Sequence, residues 1–197
     1  MMLNRTSKAV GPRAGRTSRM VAVGAMTMAL ALMAASPAVA HEQAQGGTPS
    51  ATDARWAAMM VAHHEGGIEI TEIALEKSDN EGVRAVATES QQDQQNELPT
   101  LRAIAAAGGL EPMTPPAPLA RFNEQDLQRL RALSGAEFDR AWLDVLSSHH
   151  MGAIMMTDVA LAGTAGAPAE ELQNQIRDGQ LKQVARMNEL REELHVD

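Results

Sequence analysis

The 197-residue chain contains no cysteine and no tyrosine, and only two tryptophans and two phenylalanines. Without thiols it forms no disulfide, takes no lipid anchor through cysteine, and offers no thiolate to a metal. Any soft metal ligand must therefore come from its 13 methionines. Few aromatics beside abundant alanine, leucine, glutamate and glutamine favour helix over sheet. Positive charge is also scarce: 17 basic residues face 25 acidic ones, a formal net charge of -8, which argues against nucleic acid as a partner. Long apolar runs are missing too. The most apolar stretch, Val21 to Ala35, is shorter than the roughly 20 residues of a membrane span.

That stretch follows Arg5, Lys8, Arg13, Arg16 and Arg19 with no acidic residue among them, and it ends in Ser36-Pro37-Ala38-Val39-Ala40. The layout is that of a signal peptide over residues 1–40, cleaved before His41. The expected mature chain is exported, periplasmic or extracellular, with no stable membrane insertion. Its formal charge falls from -8 to -13, because the leader removes five basic residues and no acidic one. Such a surface suits solubility or the attraction of cations.

Residues 41–52 lack apolar periodicity and read as a disordered tether. A first helical hairpin is expected over residues 53–107, with its second helix opened by a capping box at Ser78-Asp79-Asn80-Glu81 and bent at Pro99. Gly108-Gly109 ends that helix. Residues 108–134 form a proline-rich linker, with Glu111 to Leu119 outside regular structure and one short helix from Asn123 to Leu133. A second hairpin is expected over residues 135–197, opened by a capping box at Ser134-Gly135-Ala136-Glu137, with Pro168 in the first turn of the last helix.

The halves repeat each other. At an offset of 86 residues, Asp53, Trp56, His63, His64, Gly66, Ile68, Thr71, Ala74 and Leu75 recur as Asp139, Trp142, His149, His150, Gly152, Ile154, Thr157, Ala160 and Leu161. The second helices match more weakly at an offset of 89, which implies a three-residue insertion near Gly163 to Pro168. Neither hairpin can bury its apolar face alone, so the pair is expected to stack about a pseudo-two-fold axis into an all-α, four-helix bundle.

At about 100° per residue, His63 and His149 lie mid-stripe on the apolar faces of their helices, with His64 and His150 at the flank. Buried imidazole is neutral and hydrogen-bonded, or it holds a metal. Met59 and Met60 stand four residues before His63 and His64, and Met156 stands two turns beyond His149, so thioether and imidazole share a helix face. Met151 and Met155 are weaker candidates.

Imidazole and thioether without thiolate or paired carboxylates select copper, Cu(I) through sulfur and Cu(II) through nitrogen. Zinc held by four imidazoles is the alternative. A di-iron centre is disfavoured, since Glu192 to His195 is the only Glu-x-x-His match. Cleavage before His41 would place an amine and an imidazole together, a possible Cu(II) chelate. The expected function is copper sequestration or delivery without catalysis. The alternatives are a metal-dependent oxidoreductase, or a structural or partner-binding bundle without metal.

Met59-Met60-Val61-Ala62-His63-His64-Glu65-Gly66-Gly67-Ile68, Phe138 to Trp142 and His149-His150-Met151-Gly152-Ala153-Ile154-Met155-Met156 resemble domain-of-unknown-function family 305 (DUF305). The resemblance covers about residues 53–194 and implies a ferritin-like four-helix bundle, usually exported, with copper bound by methionine and histidine in some members. The family's upstream methionine pair is kept at Met59 and Met60 but replaced by Val145 and Leu146. Its downstream methionine is kept at Met156 but replaced by Ile70. Each copy thus retains half of the thioethers, as two weakened sites or one composite site.

Overall fold

The computed structural model describes residues 48–120, 122–163 and 167–194. They form six helices: α1 Ala51–Lys77, α2 Glu81–Ala107, α3 Ala117–Ala120, α4 Glu124–Ala132, α5 Gly135–Ala162 and α6 Ala167–Glu193. The proposed leader, its cleavage site, His41 and His195 lie outside the described residues.

Helix α1 starts earlier than its apolar periodicity suggests, because Ser50 caps it. The Ser50 hydroxyl accepts from the Asp53 amide at 3.1 Å, and Asp53 Oδ2 accepts from the Ser50 amide at 3.2 Å. Ala51 and Thr52 are therefore helical rather than tether. A second capping box joins Asn123 and Asp126 at the start of α4.

Neither of the two expected boxes forms. Ser78 ends α1, and its hydroxyl donates to Asp139 Oδ1 at 2.6 Å, so Asn80 caps α2 instead. Ser134 precedes α5 but makes no side-chain cap, because Gly135 at φ 57° breaks the geometry that would set its hydroxyl over the first-turn amides. The linker holds two short helices, not one. The single turn α3 accommodates Pro118 because the first amides of a helix have no intrahelical partner to lose. Helix α2 runs through Pro99 without a break.

The hairpins α1–α2 and α5–α6 pack α1 on α5 and α2 on α6, giving a ferritin-like four-helix bundle from two copies of one unit. Helices α2 and α6 both have 27 residues, and α6 begins and ends 86 positions after α2. The offset of 86 therefore holds through the whole repeat, and the expected three-residue insertion is absent. The two tryptophans cross the axis reciprocally. Trp56 Nε1 donates to Thr157 Oγ1 at 3.2 Å, and Trp142 Nε1 donates to the Ile70 carbonyl at 2.9 Å.

Two apolar clusters fill the bundle. One gathers Ile70, Ala74, Val83, Val86, Trp142, Leu146 and Met187 with their neighbours. The other gathers Trp56, Met60, Val61, Leu98, Leu101, Met156 and Ile176 with theirs. Between these stretches every long helix carries buried polar side chains: His63 and His64 on α1, Ser90, Gln94 and Glu97 on α2, His149 and His150 on α5, Gln180 and Gln183 on α6. The bundle is thus cut at mid-height by a polar layer.

Candidate metal centre

All four histidines are buried in that layer, none more than 2 % exposed. His64 and His150, expected at the flank, are as deep as His63 and His149, because α2 and α6 close over that flank and supply partners. His64 Nε2 meets Glu97 Oε2 at 2.7 Å, and His150 Nε2 meets Gln183 Oε1 at 2.6 Å. Each partner follows its histidine by 33 residues.

The other two imidazoles lie against each other across the axis, ring centres 3.8 Å apart and planes at 29°. His149 Nε2 bonds the His63 carbonyl at 2.9 Å, whereas neither ring nitrogen of His63 makes a hydrogen bond of good geometry. Phe122, between α3 and α4, sits 5.4 Å from His149 and fills the space where a Cβ on Gly66 would stand. The linker therefore covers the stacked pair.

Burial pushes His63 and His149 well below the usual imidazole range, and the neighbouring histidines push in the same direction. Burial likewise lowers His150 to about 4, against a smaller upward effect of Gln183. Neutral His149 and His150, bonded through Nε2 to a backbone or amide oxygen, carry their proton there and leave a lone pair on Nδ1. Nδ1 of all four histidines, together with His63 Nε2, meets no hydrogen-bond partner. Such an arrangement, one nitrogen oriented by the protein and the other bare, is how histidine is prepared to ligate.

Of the candidate thioethers, Met60 and Met156 are buried in the same apolar cluster, and Met59 packs against it. The positions where the repeat lacks methionine, Ile70, Val145 and Leu146, all lie in the other cluster. Because α1 and α5 are antiparallel, the retained halves of the two methionine patterns fall on one side of the polar layer. Met151 and Met155 stand on the outer surface of α5, 37 % and 40 % exposed, whereas the imidazoles are buried. Among the described residues, no three His, Asp or Glu side chains converge to hold an ion.

Glu97, Gln183 and Phe122 escaped the sequence reading. The spacing of 33 residues from each histidine is the signal that could have found the first two. Gly67 also belongs here: a Cβ on it would stand 2.0 Å from Gln94 Oε1 and 2.6 Å from His149 Cε1. Gly67→Ala is expected to lower stability by about 1–3 kcal/mol through overpacking. Urea unfolding of the variant checks this, and an unchanged midpoint would show that the layer has slack.

No curated protein matches the chain. The structure is similar to a DUF305 fragment from Deinococcus radiodurans (TM-score 0.66, 23% identity, covering 73% of this chain and 97% of that one). A DUF305 protein from Streptomyces coelicolor is equally similar in fold (TM-score 0.66, 21% identity, 73% and 92% covered). CopM in its Cu(I)-bound form is also similar, at a TM-score of 0.61 and 22% identity over 72% of this chain and 96% of that one. At these identities the likeness is one of fold. The domain of unknown function DUF305 matches residues 3–105 and 53–191, and with the duplicated hairpin and its two His-His pairs, this places the chain in the DUF305 family.

Proposed function

We propose that the chain is an exported copper-binding protein that takes up Cu(I) beside the polar layer and sequesters or delivers it without catalysis. The observation that carries this reading is the set of unsatisfied donors: five buried imidazole nitrogens, on four histidines, that make no hydrogen bond of good geometry. Leaving each polar group buried and unpaired costs roughly 1–3 kcal/mol, a cost that a metal ion removes.

Met60 and Met156, from opposite copies but in one cluster, favour a single composite site over two weakened ones. Its ligands are these thioethers, with Met59 at the edge, and one or two imidazoles drawn from His63, His64, His149 and His150, since no three of them converge. Thioether with neutral imidazole suits Cu(I), while Cu(II) would draw on nitrogen alone. An all-imidazole zinc site needs a convergence of histidines that the described residues do not make.

The basic and then apolar N-terminal segment ending in Ala38-Val39-Ala40 supports export. No described helix is long and apolar enough to cross a membrane. CopM, of the same fold, has been crystallised in Cu(I)-, Cu(II)- and Ag-bound forms, which supports copper as the cargo.

A Cu(I) competition titration against a colorimetric chelator tests the proposal. The wild type is expected to compete, the His63→Ala/His149→Ala variant to fail, and Met60→Leu/Met156→Leu to bind at least about tenfold more weakly. No competition by the wild type would overturn the copper reading in favour of a metal-free structural bundle. Unchanged binding by the methionine variant would remove the composite site.

A further inference from the structure

The face of the polar layer between α2 and α6 has chemistry of its own. A cavity of about 10 Å³, the size of one water or one small ion, lies there between Asp93, Gln94 and Glu97 of α2 and Gln180 and Gln183 of α6. Gln180 is 5 % exposed, and neither its amide oxygen nor its amide nitrogen has a partner. A buried primary amide with both ends unpaired is unfavourable unless something occupies the space it lines.

Two carboxylates one helical turn apart share that space. Asp93 Oδ2 accepts from Gln183 Nε2 at 2.9 Å, and Glu97 Oε2 is taken by His64 Nε2 at 2.7 Å, so each carboxylate retains a second oxygen. No basic side chain lines the cavity to balance them. The Asp93 carboxyl is pushed above its usual range by partial burial first, then by the charges of Glu97 and Glu89, with Gln183 acting in the opposite direction. The seam sets two carboxylates against a single imidazole, that of His64.

We propose that this seam binds one small hard divalent cation, of magnesium or manganese size, through carboxylate oxygens of Asp93 and Glu97 and the amide oxygen of Gln180. Carboxylate and amide oxygens select magnesium or manganese over the soft ions suited to thioethers. Calcium asks for six to eight oxygens, more than the seam holds, whereas magnesium is commonly held by one or two carboxylates and keeps several waters. Asp93, exposed at the solvent edge, leaves room for those waters. The site is distinct in ligands from the imidazole and thioether donors, adjoins them through Glu97, bonded to His64, and through Gln183, bonded to His150, and stands whether or not they take copper.

Mn²⁺ alone is the probe, titrated into the full metal-stripped chain while the paramagnetic resonance signal of free Mn²⁺ is followed. One Mn²⁺ is expected to bind and to be displaced by Mg²⁺. Asp93→Asn and Gln180→Leu are each expected to weaken it about tenfold or more. His63→Ala/His149→Ala is expected to bind it as the wild type does. Thermal melts establish that each variant folds, and Asp93→Asn, changed at the surface, decides the matter if Gln180→Leu does not. Mn²⁺ left free by the wild type, bound equally by Asp93→Asn, or lost in the histidine variant would overturn the proposal and leave the cavity to water.

Discussion

Acid will melt the metal-free protein between pH 6.5 and about 4. In the unfolded chain histidine takes a proton below about pH 6.5, whereas folded His150 resists it until about pH 4. The unfolded state therefore binds more protons throughout this window, and stability falls as pH falls, being fully present only above the unfolded value. For His150 alone the loss is about 3 kcal/mol by the bottom of the window, at 1.36 kcal/mol per pH unit. His63 and His149, displaced in the same direction, steepen the decline. These losses fall on a total that for an ordinary domain is only about 5–15 kcal/mol. Melting temperature against pH reads this directly, and the slope should ease by one proton in His150→Gln. A midpoint unchanged from pH 7 to pH 5 would mean that the histidines are not held neutral by burial.

The second large effect is expected at the crossing tryptophans. Trp142 is fully buried in the cluster that also contains Ile70 and Leu146, and its indole N–H reaches from α5 to the backbone of α1. Trp142→Ala removes both the packing and the tie, and should cost about 3–5 kcal/mol. For a domain of this size that is a fall in melting temperature of roughly 10 °C or more. Trp142→Phe keeps most of the apolar volume and should lose little beyond the hydrogen bond, about 1 kcal/mol. Equal losses in the two variants would mean that the hydrogen bond, rather than packing, ties the copies together.

The sequence carried the architecture because its rare residues are the repeated ones. Trp56 and Trp142, with the two His-His pairs, mark the offset of 86 unmistakably, and hairpins with half-buried faces have few ways to pair. What stayed hidden depends on contacts between distant segments. Ser78 reads as an N-cap by local pattern, but its hydroxyl serves Asp139, 61 residues away. The helical wheel put His64 and His150 at a flank because it represents one helix at a time and cannot show Glu97 and Gln183 closing over them. Aligning the second helices on their glutamines, at 89, also set those two partners out of register. Phe122 was invisible as a site residue for a similar reason: it follows a proline-rich stretch, and only the folded linker carries it to His149.

At equivalent positions of the two copies, then, His64 faces a carboxylate and His150 faces an amide. A homodimer of single hairpins, sharing one gene, would have to place glutamate on both sides or glutamine on both. Joining the hairpins in one polypeptide lifts that restriction, so a substitution on one side need not be answered on the other. The left and right halves of this centre can accordingly differ in charge at a single atom's position. An ion placed between them would meet a polarised environment that two identical halves could not offer.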